Sequence, residues 1–208
     1  MSNAEAPKHV CGSACDSAKA YLDGMAQLLA KIDCRGIDAF AELVVDAWRN
    51  DRRVFVFGNG GSASTASHHA CDLLKTAAVD GQRRLNAFSL VDNVGVGTAI
   101  GNDLDYREVF VYLLETYAKP GDLAVAISGS GNSPNVLRAC TWARQNGVKV
   151  IALTGFSGGK LKDLADVHIN IPSDNYGYVE DLHLAIGHMV AQILKSRIVA
   201  EAKTTCKS

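Results

Sequence analysis

The sequence predicts an α/β protein with a single parallel β-sheet that is covered by helices on both faces. Three observations support this prediction. Short apolar runs rich in β-branched and aromatic residues alternate with segments of helical periodicity. These runs are apolar throughout rather than alternately polar, which is typical of strands buried on both faces. Glycine- and serine-rich turns follow several of the runs, as expected where strands pass directly into helices.

The predicted elements follow one another without a long linker or an internal repeat. Two N-terminal helices, separated at Arg35-Gly36, are predicted between Ser13 and Asn50, because apolar residues recur there at helical spacing. Five strands are predicted at 54–58, 85–90, 123–128, 148–155 and 167–172. Later helices are predicted at 64–74, 105–118, 134–146, 160–165 and 179–198. A single domain thus spans 13–198, with a disordered N-terminus over 1–12 and a flexible tail over 199–208.

The composition is that of a cytoplasmic globular protein. A formal net charge of −1 over 208 residues gives no electrostatic reason to expect a nucleic acid or an anionic membrane as partner. No apolar run approaches the ~20 residues of a membrane-spanning helix, and the first ten residues lack the pattern of a secretory signal. The six cysteines are irregularly spaced, so we expect reduced thiols rather than a disulfide framework.

Two loops with the chemistry of an anion site follow predicted strands. Residues 58–64 read Gly-Asn-Gly-Gly-Ser-Ala-Ser, and residues 128–133 read Ser-Gly-Ser-Gly-Asn-Ser. Glycines let the backbone approach a ligand closely, and the free N–H groups at a helix start favour an anion. The first loop lacks the lysine of a nucleotide-binding P-loop and the spacing of a dinucleotide fingerprint. We therefore expect a small, oxygen-rich ligand such as a phosphate.

Histidines and carboxylates cluster on two of the predicted helices. His68 and Asp72 are four residues apart and share a helix face, which suits two metal ligands or a base and its orienting partner. In the last helix the spacing is ambiguous. Asp181 and His188 lie almost on one stripe, but residues 180 and 183, a glutamate and a histidine, are also neighbours. Spacing alone leaves both pairs open.

The motifs GNGGSA (58–63), AIGND (99–103), SGSGNSPNVL (128–137) and IGH (186–188) resemble the sugar isomerase (SIS) domain, and more narrowly the bacterial phosphoheptose isomerase family. The resemblance covers about residues 40 to 195. It implies a three-layer, flavodoxin-like domain whose N-terminal helices serve oligomerisation. It also implies a homotetramer with active sites between subunits, one zinc ion per subunit and a sugar-phosphate substrate.

The resemblance also implies roles for individual residues. Zinc ligands fall on His68, Asp72, Glu180 and His188, and Glu180 is chosen over Asp181 on this ground alone. Asp72 is the expected base at carbon, and His188 the expected acid/base at oxygen. The contacts to the sugar phosphate fall on Asn59, Gly60, Gly61, Ser62, Asn102, Asp103, Ser128, Gly129, Ser130, Ser133 and Glu180.

Three positions depart from the family pattern. Asp72 stands where the family usually has glutamate, Glu180 where it often has glutamine, and Thr76 where an arginine is usual, although Lys75 is adjacent. The expected reaction is conversion of sedoheptulose 7-phosphate to D-glycero-D-manno-heptose 7-phosphate through an enediol. This is the first step towards nucleotide-activated heptose for lipopolysaccharide or capsule. The alternatives are an isomerase of another sugar phosphate and a non-catalytic protein that binds phosphosugars or a replication initiator.

Overall fold

The computed structural model describes residues 14–205 and confirms the predicted α/β fold. Five parallel strands form one sheet in the order β2-β1-β3-β4-β5. Its strands are β1 (Arg53–Gly58), β2 (Asn86–Ser89), β3 (Leu123–Ser128), β4 (Lys149–Thr154) and β5 (Val167–Asn170). Each lies where the sequence predicted a strand.

The helices are α1 (Ala14–Leu29), α2 (Cys34–Arg49), α3 (Gly61–Cys71), α4 (Val94–Asp103), α5 (Val109–Tyr117), α6 (Pro134–Gln145) and α7 (Tyr176–Thr205). Single turns of 3₁₀-helix lie at Tyr106–Glu108 and Leu161–Leu164. A π-helical turn, Asp72–Thr76, continues α3. Within residues 14–205, no helix is both long enough and apolar enough to cross a membrane.

The helices form two layers, one on each face of the sheet. Helices α2, α3 and α7 pack on one face, and α4, α5 and α6 on the other. Strand β3 shows how the sequence supplies both cores, because Val125 and Ile127 face the first layer while Ala124 and Ala126 face the second. All four side chains are fully buried. The apolar runs of the sequence therefore reflect burial on both faces, as predicted.

Three predicted boundaries require correction. The break between the first two helices lies before Cys34, because Asp33 caps α2 by accepting a hydrogen bond from the Arg35 backbone N–H at 3.0 Å. No helix was predicted over the AIGND segment, which forms the C-terminal half of helix α4. The last helix continues to Thr205 rather than ending at Ile198, so residues 199–205 are helical. The predictions for 1–12 and for Cys11 and Cys206 fall outside the described residues.

Helix α1 lies at the edge of the first core, to which it contributes Leu28. Leu28 is its only buried residue, whereas Leu22 and Leu29 are 67% and 51% exposed. It is held to the domain partly through Tyr21, whose hydroxyl donates a hydrogen bond of 2.6 Å to Asp181 Oδ2. That hydrogen bond is the main reason why the pKa of Tyr21 rises to about 12. The use of this helix in oligomerisation remains a prediction.

Candidate active site

The two predicted loops lie side by side at the carboxyl edge of the sheet. Strands β1 and β3 are hydrogen-bonded neighbours, with Gly58 paired to Ile127. A Cβ on Gly58 would lie 2.6 Å from the Ile127 carbonyl oxygen, so only glycine allows this approach. Gly60 has φ 58°, in the left-handed region that glycine occupies at little cost. Helix α3 then starts at Gly61, and its first intrahelical acceptor is the Gly60 carbonyl.

A reciprocal amide pair joins the first loop to the first turn of helix α6, which follows the second loop. Asn59 Nδ2 donates to Asn135 Oδ1 and Asn135 Nδ2 donates to Asn59 Oδ1, both at 2.9 Å. The Tyr106 hydroxyl donates a third hydrogen bond of 3.0 Å to Asn59 Oδ1. Asn135 is 2% exposed. The Asn59 side chain, predicted to contact substrate, is thus engaged in fixing its own loop. Sequence reasoning gave no role to Asn135, although it lies within the 128–137 motif, or to Tyr106, which lies in no motif.

The serine loop after β3 (residues 128–133) is fixed by hydrogen bonds from the segment after β4. The Gly155 N–H donates to the Gly129 carbonyl at 2.8 Å, and the Leu161 N–H donates to the Gly131 carbonyl at 3.0 Å. The Asn132 side chain accepts from the Lys160 N–H at 3.1 Å. Within the loop, the hydroxyls of residues 128 and 133 (both serine) lie 3.3 Å apart. Ser128, Ser130 and Ser133 thus belong to a loop whose backbone is fixed by hydrogen bonds to the carbonyls of Gly129 and Gly131.

Helix α7 begins over both loops. The Tyr176 ring lies against Gly129, and the Glu180 carboxylate occupies the space that a Cβ on Gly61 would need. Glu180 lies eight residues before His188, a rise of about 12 Å along the helix. It is therefore distant from His188 and close to the predicted phosphate loops. Among the described residues of one chain, the candidate ligands that lie together are His68, Asp72 and His188. The roles of Glu180 as a fourth ligand and as a contact of the sugar phosphate stay predictions.

Those three candidate ligands converge between α3 and α7. His68 Nε2 and His188 Nε2 are 3.1 Å apart, and they lie 3.6 and 3.4 Å from Asp72 Oδ2. The two histidine side chains are 47% and 44% exposed, whereas that of Asp72 is 10% exposed. The cluster thus opens to solvent over a nearly buried carboxylate. It lies roughly 10 Å from Gly61 along α3, since seven residues separate Gly61 from His68.

Asp72 is oriented by the turn that follows it. Its Oδ1 atom accepts a hydrogen bond of 2.8 Å from the Thr76 hydroxyl. Its Oδ2 atom is buried and has no hydrogen-bond partner. The π-helical turn starts at Asp72, where the Ala77 N–H donates to the Asp72 carbonyl at 2.9 Å. Thr76, a departure from the family pattern, therefore turns the free oxygen towards the histidines.

The cluster fits a metal ion. Ligand atoms about 2.0–2.1 Å from a tetrahedral zinc ion lie roughly 3.3 Å from one another, and the three distances of the cluster are 3.1, 3.4 and 3.6 Å. A cation would also satisfy the unpartnered Asp72 Oδ2 atom. Two nitrogens and one carboxylate oxygen are ligands that zinc accepts, with a fourth position left open.

The open alternatives in the last helix are resolved. Asp181 is exposed and bound to Tyr21, away from His188. His183 is fully buried, and its Nε2 atom donates to the Thr154 carbonyl at 3.0 Å. Burial lowers the pKa of His183 to about 4, and burial likewise lowers the pKa of His69 to about 4. These two histidines are interior groups, unlike His68 and His188.

Two further predicted contacts lie apart from the cluster. Asn102 and Asp103 end helix α4, where the Asn102 amide donates to Asp103 Oδ1 at 2.8 Å, and both are exposed. A cavity of about 420 Å³ separates α4 from the first loop, and Gly101 and Asn59 lie on its wall. The contact of Asn102 and Asp103 with substrate stays a prediction.

Comparison with known proteins identifies the family. Residues 20–155 match the SIS domain model. The chain is 41% identical over 162 residues to the phosphoheptose isomerase of Mycobacterium bovis, covering 78% of this chain and 82% of that protein. It is 36% identical over 162 residues to that of Akkermansia muciniphila, covering 78% and 85%. The chain belongs to the phosphoheptose isomerase family of SIS-domain proteins. The resemblance seen in the sequence is thereby confirmed.

A solved member of the family has the same fold. The phosphoheptose isomerase GmhA of Neisseria gonorrhoeae superposes with a TM-score of 0.81 at 30% identity, covering 87% of this chain and 98% of that one. More distant structures, below 25% identity, share the fold alone. They include a NanR protein complexed with ManNAc-6P, at 18% identity and a TM-score of 0.62. These relationships do not favour the alternatives of an isomerase of another sugar phosphate or a non-catalytic protein that binds phosphosugars or a replication initiator.

Proposed function

We propose that this chain is an aldose–ketose isomerase that converts sedoheptulose 7-phosphate to D-glycero-D-manno-heptose 7-phosphate through an enediol. The observation that carries the proposal is the convergence of His68, Asp72 and His188 at 3.1–3.6 Å, between α7 and the helical segment that begins at the first glycine-rich loop. A protein that only binds a phosphosugar has no need of an acid/base and metal-ligand set. Relatives at 36–41% identity carry the name phosphoheptose isomerase.

Asp72 and His188 supply the proton transfers of the proposed reaction. Isomerisation moves a proton between C1 and C2 and a second proton between the two oxygens, which requires a base at carbon and an acid/base at oxygen. The Asp72 Oδ2 atom has no hydrogen-bond donor, so it is free to accept the carbon-bound proton. His188 Nε2 lies 3.4 Å from that oxygen, and its exposed ring faces the same opening.

The phosphate end of the substrate is assigned to the carboxyl edge of the sheet. The hydroxyls of Ser128, Ser130 and Ser133 and the first N–H groups of α3 are donors without a fixed positive charge. The roughly 10 Å between Gly61 and the cluster suits a ligand whose phosphate and reacting carbons are at opposite ends. Binding of the remote phosphate would position the reacting carbons at Asp72.

We further propose that the ion held by His68, Asp72 and His188 is zinc. Zinc at this position would supply Lewis-acid polarisation of a carbonyl oxygen. Asp72 then has two roles, as ligand and as base, and coordination weakens a carboxylate as a base. An Asp72→Asn variant distinguishes the roles. Loss of turnover with metal and fold retained supports the base role, and full turnover removes it.

The proposed assembly is a cytoplasmic homotetramer with sites between subunits, and it acts on neither nucleic acid nor membrane. Exposed apolar side chains in two places support subunit contacts. Leu22 and Leu29 are exposed on α1, and a groove of about 1220 Å³ beside the edge strand β2 is lined by Leu74, Phe88 and Tyr117. Light scattering of the purified protein would give the subunit number.

The decisive experiment is turnover in deuterated water. Metal-replete protein is incubated with sedoheptulose 7-phosphate while the C1 and C2 signals are followed by NMR. An aldose product with deuterium at C2 is the expected result, and its couplings give the product stereochemistry. Absence of turnover in a metal-loaded, folded protein would overturn the proposed substrate, and a panel of other sugar phosphates would then be tested under the same conditions.

A further inference from the structure

The candidate metal ligands lie on two helices whose separation must be controlled. His68 belongs to α3 and Asp72 to the π-helical turn that continues it, whereas His188 belongs to α7, more than 100 residues later in the chain. A metal centre needs its ligands within about 0.5 Å of the productive geometry. The exposed ligand side chains themselves give little support, since both histidine rings are nearly half exposed. Another contact must therefore set the spacing of α3 and α7.

His69 makes such a contact. It follows His68 directly, is 2% exposed, and its Nε2 atom donates to the His183 carbonyl oxygen on α7 at 2.9 Å. In helix α7 that carbonyl lies one turn before Gly187, which directly precedes His188. The hydrogen bond thus joins the two helices one residue away from a candidate ligand on α3 and about one turn away on α7.

The His69 ring also packs against Gly187 of α7. A Cβ on Gly187 would overlap the His69 imidazole ring. The facing positions of α3 are also small and buried, at Ala66 and Ala70. The ring therefore prevents a closer approach of the helices, while the hydrogen bond to His183 prevents their separation. Together they permit a narrow range of spacing between α3 and α7.

His183 extends the linkage to the sheet. Its own Nε2 atom donates to the Thr154 carbonyl at the end of β4, at 3.0 Å. The next residue, Gly155, holds the serine loop through its N–H bond to Gly129. Helix α7 is thus fixed to β4 by one histidine and to α3 by the other. A leucine would fill the volume of either ring without the free-energy cost of burying an imidazole. The imidazole N–H group that donates a hydrogen bond is therefore the feature that a leucine would not supply.

We infer that His69 is a positioning residue whose hydrogen bond to the His183 carbonyl, with its ring against Gly187, sets the spacing of His68 and Asp72 relative to His188. The inference rests on the metal site proposed above. It assigns to His69 a role in metal affinity rather than in contact with substrate. Partners of metal ligands typically change metal affinity 10- to 100-fold when they are removed.

The test compares zinc binding by wild type, His69→Leu and His69→Gln. Zinc dissociation constants are measured by chelator competition, and the absorption spectrum of the Co²⁺-loaded protein reports ligand geometry. His69→Leu should weaken zinc binding about 10- to 100-fold and alter the Co²⁺ spectrum. His69→Gln places an amide N–H near the position of Nε2 and should restore most of the affinity. Val190→Ala, a buried change on α7, is the control for lost packing alone and should bind zinc normally.

Gly187→Ala provides a second test that keeps His69. The added methyl should push α7 away from the ring and weaken zinc binding, and His69→Ala in the same chain should relieve the collision. The double variant is then expected to bind no more weakly than His69→Ala alone. Wild-type affinity in His69→Leu, or equal affinities in His69→Leu and His69→Gln, would overturn the inference. A wild-type chain that binds no zinc refutes the metal site itself, and the inference with it.

Discussion

The two glycine-rich loops (58–64 and 128–133) and the cluster of His68, Asp72 and His188 differ in which part of the chain forms them. The loops are made from backbone, and their shape is imposed by glycines within a few residues of each other, such as Gly58 and Gly60. The cluster is made from side chains, and its members come from two helical segments that are far apart in the sequence but pack against each other. A local sequence therefore determines the loops, whereas the cluster depends on how α3 and α7 pack. The two regions should respond differently to substitution.

The largest effect is expected at the cluster. His188→Ala removes the proposed acid/base at oxygen and one metal ligand, and kcat should fall on the order of 10²–10⁴-fold. Binding of inorganic phosphate, measured by calorimetry, should change little, because the serine loop is untouched. Circular dichroism verifies the fold. Undiminished kcat in a folded His188→Ala protein would contradict the proposed role.

A loop substitution should produce the reverse pattern. Gly131 has φ 64°, and a Cβ there would collide with the Gly158 carbonyl. Gly131→Ala should raise KM roughly 10- to 100-fold while zinc affinity stays at the wild-type value. Gly81→Ala is the matched control, since Gly81 has φ 75° with nothing within 4 Å. It should lose stability but keep its KM, and a raised KM in this control would show that strain alone is sufficient.

A smaller effect tests the orientation of Asp72. Thr76→Val keeps the side-chain shape but removes the hydroxyl that donates to Asp72 Oδ1 at 2.8 Å. Zinc affinity should fall about tenfold, as for other partners of metal ligands, with KM little changed. Thr76→Ser retains the donor and should bind zinc like wild type. If the valine and serine variants bind zinc equally well, Thr76 does not orient the carboxylate.

The smallest effect concerns pH and the interior histidine of α7. Burial lowers the pKa of His183 from its usual value of 6.5 to about 4 in the folded chain. Burial lowers the pKa of His69 to about 4 as well. Between these values the unfolded chain binds more protons, so stability falls as pH drops from 6.5 towards 4. His183→Gln should reduce that slope by roughly 1 kcal/mol per pH unit. Urea unfolding at fixed protein concentration measures it, and an unchanged slope would exclude His183 as its source.

Much of the fold was predictable because burial on both faces leaves a continuous apolar run. Strand β3 lies at its predicted bounds for that reason. Helix α4 was missed because Gly95, Gly97 and Gly101 conceal its periodicity. The first helix break was misplaced because Gly36 suggested a turn, whereas the Asp33 cap allows α2 to start before it.

The candidate site was predictable in its residues but not in its grouping. His68 and Asp72 follow from spacing on one helix, and His188 from family resemblance. The eight residues between Glu180 and His188 already imply a separation of about 12 Å along one helix. The packing of Glu180 against Gly61 is not evident from the sequence, because it depends on the register of α7 against α3. The same holds for the amide pair of Asn59 and Asn135, which joins segments far apart in the chain.

The glycine-rich loops carry a kinetic consequence. The anion binding proposed for them would come from N–H groups at the starts of α3 and α6, and the chain as a whole has a net charge of −1. Helix-end dipoles act over about one turn, and physiological salt screens charges beyond about 8 Å. A dianionic sugar phosphate therefore arrives by unguided diffusion and is captured only on close encounter. Ionic strength should leave its association rate almost unchanged, in contrast to enzymes that steer their substrates electrostatically.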